Sequence, residues 1–111
     1  MPFLYLELTP FSAAVGATAT RVSDSQITLF GYQIVNNTAA IAYVQVFKQK
    51  ASTVTVGTTV PDYVIPLPAS GVAVWAPGEL GSVHSPAMAI ACTTGRGNAV
   101  AATCDILMWV N

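Results

Sequence analysis

The chain has 111 residues, a net charge of −1, 53% hydrophobic residues and 8% charged ones. That length holds one core rather than two, and the charged fraction falls far below the roughly 25% usual in soluble domains. The four basic residues, Arg21, Lys48, Lys50 and Arg96, form no stripe, which argues against nucleic acid; no apolar run approaches the ~20 residues of a membrane-spanning helix.

The opening "MPFLYLELTP" has no positively charged start and alternates instead of running apolar. It does not read as a signal peptide, so synthesis in a cytoplasm is expected. A first strand there puts Phe3, Tyr5 and Glu7 on one face and Leu4, Leu6 and Leu8 on the other. Next, "ITLFGYQIV" and "AIAYVQVFK" flank "NNTA". Asn and Thr suit turn geometry, and a hairpin centred on Thr38 would pair Val35 with Ile41 and Leu29 with Phe47. "STVTV", Ser52–Val56, reads as a short strand ended by Gly57.

In "VPDYVIPLPASG", Val60–Gly71, strand formers are mixed with prolines, which have no N–H for a sheet ladder. Tyr63, Ile65 and Leu67 share one face; Val64, Pro66 and Pro68 share the other. Backbone groups of alternate residues point to the same neighbour, so Pro66 and Pro68 remove donors from one side only. This is the pattern of an edge strand protected against unwanted strand addition.

"VAVWA", Val72–Ala76, is another strand. "AMAIACTT" and "TCDILMWV" are expected to form a last hairpin around a mobile tip, "GRGNAVA". Its register pairs Met88 with Met108, Ile90 with Ile106 and Cys92 with Cys104 on one face. On the other face Ala87 meets Trp109, Ala89 meets Leu107 and Ala91 meets Asp105, with Leu107 filling core space opposite Ala89. No segment carries helical periodicity, so no helix longer than about two turns is expected. Together these readings give an all-β chain, a single-domain β-sandwich or jelly roll of about eight antiparallel strands spanning 1–111. Residues 1–20 form an N-terminal strand or arm of unassigned role.

Catalytic chemistry finds little to work with, and no enzyme is expected. His84 in "GSVHSP" lies near Ser82 and Ser85, but a triad needs an orienting acid and set geometry; an exposed turn histidine is the expectation. Glu7, Asp24, Asp62, Glu79 and Asp105 show no paired spacing for a two-carboxylate hydrolase. One histidine and two cysteines match no zinc pattern, so neither metal nor cofactor is expected. "TGRGN" lacks the Lys-Ser/Thr and helix of a phosphate loop. In a reducing cytoplasm Cys92 and Cys104 are thiols by default, with a cross-strand disulfide as the alternative.

The surplus of apolar over charged residues instead points to a surface covered by copies of the chain or by a partner. Candidate contact residues are Phe3, Tyr5, Pro66, Pro68 and Trp75.

The order "GYQIVNNTAAIAYVQVFKQKA", "VTVGTTVPDYVIPLPASG", "MAIACTTGRGN" resembles small jelly-roll capsid decoration (cement) proteins of tailed bacteriophages. The likeness runs from about Gly31 to the C-terminus, and Gly57 to Ala69 is its most specific part; Met1 to Thr20 has no counterpart. The resemblance implies a non-enzymatic virion structural protein on the outer head surface, with the major capsid protein as partner. It also implies symmetric homo-oligomers, trimers favoured over dimers; the residue pattern itself leaves no membrane or nucleic-acid partner expected. The alternative is a carbohydrate- or receptor-binding domain of a phage fibre, with Trp75 and Trp109 as a stacking platform. Tryptophan more often packs in cores or interfaces, and the chain offers few of the Asn, Asp and Gln side chains that sugar sites use.

Overall fold

Alternating apolar residues rich in Val, Ile and aromatics form strands wherever Gly, Pro and Asn do not interrupt them. The computed structural model describes residues 9–75 and 81–111, so the first segment with Phe3 and Tyr5 lies outside the described residues. Nine strands occur among those described: β1 (Thr9–Val15), β2 (Thr20–Ser23), β3 (Ile27–Asn36), β4 (Ala42–Phe47), β5 (Tyr63–Leu67), β6 (Val72–Trp75), β7 (Ser82–His84), β8 (Met88–Thr93) and β9 (Cys104–Val110). One 3-10 turn, Ala51–Thr53, is the longest helical piece described.

The strands make two antiparallel sheets. Sheet A has the order β1-β9-β3-β6, and β7 shares with β6 the edge of β3 that faces away from β9. Sheet B has the order β2-β8-β4-β5. From β1 to β4 every connection crosses between sheets; β4 to β5 stays within sheet B, and the chain then crosses to β6, from β7 to β8, and from β8 to β9. That order is a jelly-roll sandwich.

Inward positions alternate as the sequence pattern requires. Val44, Val46, Ile90 and Leu67 of sheet B face Leu29, Ile34, Ile106 and Met108 of sheet A, each essentially inaccessible. The sheets are also joined covalently, since Cys92 on β8 and Cys104 on β9 form a disulfide with Cα atoms 6.3 Å apart, inside the range such bridges tolerate. The expectation of free thiols is thereby overturned: both cysteines face the core from opposite layers.

Both expected hairpins are corrected. β3 and β4 lie in different sheets, as do β8 and β9, so Val35 does not pair with Ile41, nor Cys92 with Cys104, along a ladder. Asn36 drives the first crossing. Its buried Nδ2 donates to the carbonyls of Ala40 and Pro68, each at 2.9 Å, and its Oδ1 accepts from the Thr38 N–H at 2.8 Å. Period-2 alternation reveals which face of a strand is buried but not which strand lies beside it. An arch between sheets brings the same inward residues face to face as a hairpin would, which is why Met88/Met108, Ile90/Ile106 and Cys92/Cys104 all lie in the core.

The outward residues of that register tell the two arrangements apart. Ala89 and Ala91 lie on the outside of sheet B, whereas Leu107 lies on the outside of sheet A, half-buried and paired with Ser12 and Gln33. Leu107 therefore does not fill core space opposite Ala89.

The "STVTV" strand is corrected too. Turns hold this segment: Thr53 and Val54 donate to the carbonyls of Lys50 and Ala51, and Thr58 and Thr59 donate to that of Thr55. Val54 and Val56 pack down on Phe47, Ala89 and Ala91. The alternation there builds a roof over sheet B, not a ladder.

Candidate functional site: an aromatic cleft and a bare sheet face

The proline strand is the outer strand of sheet B, as its sequence requires. β5 pairs with β4 from Ala42↔Leu67 to Val46↔Tyr63, Ile65 and Leu67 point into the core, and Pro66 is exposed. Pro68, also exposed, stands at the corner beyond, where its carbonyl accepts from Asn36 Nδ2 and the Gly71 N–H. No side chain fits at Gly71, since a Cβ there would run into the Pro68 ring.

Between the free edge of β5 and the β6/β7 edge of sheet A opens a cleft of about 340 Å³, lined by Leu29, Tyr32, Tyr63, Val64, Ile65, Pro66, Trp75 and Ser82. Tyr32 and Trp75 are a cross-strand pair whose rings stack with centroids 5.7 Å apart. Pro66 and Trp75 thus meet in one cleft, while Trp109 is on the outer face of sheet A opposite Pro10 and Gly31. The two tryptophans form no common platform.

His84, expected to be exposed, is fully buried at the base of this edge. Its Nδ1 lies 3.0 Å from the Ser82 carbonyl oxygen and its Nε2 lies 2.6 Å from the Tyr63 hydroxyl. A carbonyl only accepts, so Nδ1 carries the proton and Nε2 accepts from the Tyr63 O–H. Both nitrogens are therefore committed, and the pair latches β7 of sheet A to β5 of sheet B. Burial lowers the His84 pKa below its ordinary 6.5, helped by the Lys48 charge and opposed by the Ser82 carbonyl and Asp62. Burial likewise raises the pKa of Tyr32 and, strongly, that of Tyr63.

The latch predicts a pH dependence. Well above pH 6.5 His84 is neutral in both folded and unfolded chains and contributes no slope. Below it the unfolded chain takes up a proton that the folded chain resists, so stability falls as pH drops from about 6.5 toward the lower folded-state pKa. Denaturant midpoints should decline over that window in the parent and flatten in His84→Gln; equal slopes would remove His84 as the cause.

The two outer faces differ. That of sheet B is covered by 48–62 and by 94–100. Buried Gln45 pins the second loop, its Nε2 donating to Thr93 Oγ1 at 2.7 Å and the Asn98 carbonyl at 2.9 Å, while Arg96 lies 5.1 Å over the Tyr43 ring. The expected mobile tip is instead a held loop. Sheet A has no such cover among the described residues, and Val72, Val74 and Val83 stand on it at 50, 67 and 51% exposure.

The sequence placed Pro66 and Trp75 among the contact candidates but missed Tyr32, Tyr63 and His84. These come from three strands in two sheets, and no spacing along the chain signals their convergence. Comparison with known protein families, with characterised proteins and with solved structures finds no match.

Proposed function

We propose that this chain is a non-enzymatic virion structural protein that binds the outer surface of a capsid and stabilises it, with the major capsid protein as partner. The observation that carries this reading is a jelly-roll sandwich with one outer sheet face that no described residue covers and on which Val72, Val74 and Val83 stand exposed, in a chain with very few charges. Such a surface is suited to lasting burial in an assembly rather than to chemistry. Bound across neighbouring capsid subunits, each copy opposes their separation by its binding free energy.

The second reading, a carbohydrate- or receptor-binding domain, draws on the aromatic cleft, where Trp75, Tyr32 and Tyr63 converge without a charged side chain in the lining. One pair of assays separates them. Saturable co-sedimentation with expanded phage heads and no signal on a glycan array supports the capsid reading; glycan binding lost in Trp75→Ala, without co-sedimentation, supports the other.

A further inference from the structure

We propose that the β6 edge of sheet A takes up an extended segment of a partner protein as an added strand, whose inward side chains fill the aromatic cleft. Four strand edges lack a neighbour among the described residues: β1 and β6/β7 in sheet A, β2 and β5 in sheet B. Three of them carry a feature that discourages strand addition. Pro10 interrupts the donors of β1, Pro66 those of β5, and the four-residue β2 carries exposed Arg21 beside a register shift. The β6/β7 edge has no proline, Lys, Arg, Asp or Glu among its described residues.

Register fixes which backbone groups this edge offers. The Asn36 N–H donates to the Gly71 carbonyl at 2.8 Å. Ile34↔Ala73 and Tyr32↔Trp75 are therefore the hydrogen-bonded pairs of the ladder, because such pairs alternate. Val72 and Val74 fall between them and turn both N–H and C=O away from β3. At β7, Thr28 exchanges both its hydrogen bonds with Asn111, so Val83, which stands opposite Thr28, also turns its groups outward. In β5 the same reasoning leaves Val64 as the outward donor, since Pro66 faces the same way without an N–H.

Side chains select the occupant. Ala73 and Trp75 point toward the core, so residues added opposite them enter the cleft beside Tyr32 and Pro66. That cleft, about 340 Å³, has no charged side chain among its described lining residues, which suits large apolar groups. Residues opposite Val72 and Val74 exchange the main-chain bonds and lie on the outer side. The partner segment is thus at least as long as β6, free of proline opposite those two valines, and apolar at alternate positions. In strand addition of this kind main-chain bonds supply affinity and side-chain pockets supply specificity. A second copy of β6 fits less well: paired antiparallel about Val74, it would bring only Ala73 to Trp75 and leave the cleft unfilled.

Panning the full chain against random peptides about nine residues long, within the range of natural strands, should enrich sequences that alternate large apolar with polar residues. For a selected peptide, Val74→Pro removes an outward N–H and no ladder bond, and should raise the dissociation constant about tenfold or more. Trp75→Ala should weaken binding as well, by removing a wall of the cleft. A second measurement is independent of the variants' folding: N-methylation of the peptide at every second residue should abolish binding in one phase and leave it intact in the other. Strand addition is read here without phage heads, so it can fail while capsid binding stands, and the reverse. Selection that enriches no alternating pattern overturns the proposal. So does binding that tolerates N-methylation in both phases, which marks a ligand of the cleft alone. A parent dimer that Val74→Pro dissociates also overturns it, by giving the edge to a second copy.

Discussion

Reducing the Cys92–Cys104 bond is expected to lower the unfolding free energy by about 3 kcal/mol, the chain-entropy value for a loop of this size. The two cysteines are 12 positions apart in sequence, yet they join β8 of one sheet to β9 of the other. The bond therefore restricts the unfolded chain and also ties the layers at one end of the sandwich. For a domain of this length the loss corresponds to a melting point lower by roughly 10 °C. Denaturant unfolding with and without reductant checks it, alongside Cys92→Ala/Cys104→Ala, which removes the bond without a change of buffer. An unchanged midpoint in a sample that titrates two free thiols would contradict the cross-sheet bond.

The second large effect comes from two neighbours in β9. Ile106→Ala should cost about 2–5 kcal/mol, because Ile106 is 1% exposed between the sheets and its removal leaves a cavity. Leu107→Ala should cost less than about 1 kcal/mol, because Leu107 is half-buried on an outer face where water fills the gap. Side chains alternate faces along a strand, so a slip of one residue reverses this ranking. Chemical denaturation of the two variants side by side reads it directly; a larger loss at Leu107 would place the core on the wrong face of sheet A.

These variants also show what the sequence could reveal. Alternation identified β3, β4, β5, β6, β8 and β9 but not the short β1, β2 and β7, and it offered Ser52–Val56 as a strand where turns stand; the prolines identified β5 as an edge, because a missing N–H is a local backbone property. The inward residues of β8 and β9 were legible as facing sets because alternation is local too. Sheet membership was not legible. It depends on whether the chain turns within a sheet or arches over the core, and that choice is made by contacts such as Asn36 reaching the Pro68 carbonyl, 32 positions away. The error at Leu107 follows directly, since a hairpin would have placed its outward residue beside Ala89. The candidate site was legible only in part. Trp75 and Pro66 drew notice as an aromatic and an edge proline, but the His84–Tyr63 latch joins residues 21 positions apart from different sheets. A lone histidine near two serines gave no hint of its burial.

The central claim, that the protein holds a capsid together, is tested most directly by heating phage heads with and without saturating protein and following DNA release. Release is expected at a higher temperature in the presence of protein, with protection rising to a plateau as the binding sites fill. Release at the same temperature from heads that demonstrably carry the bound protein would contradict it.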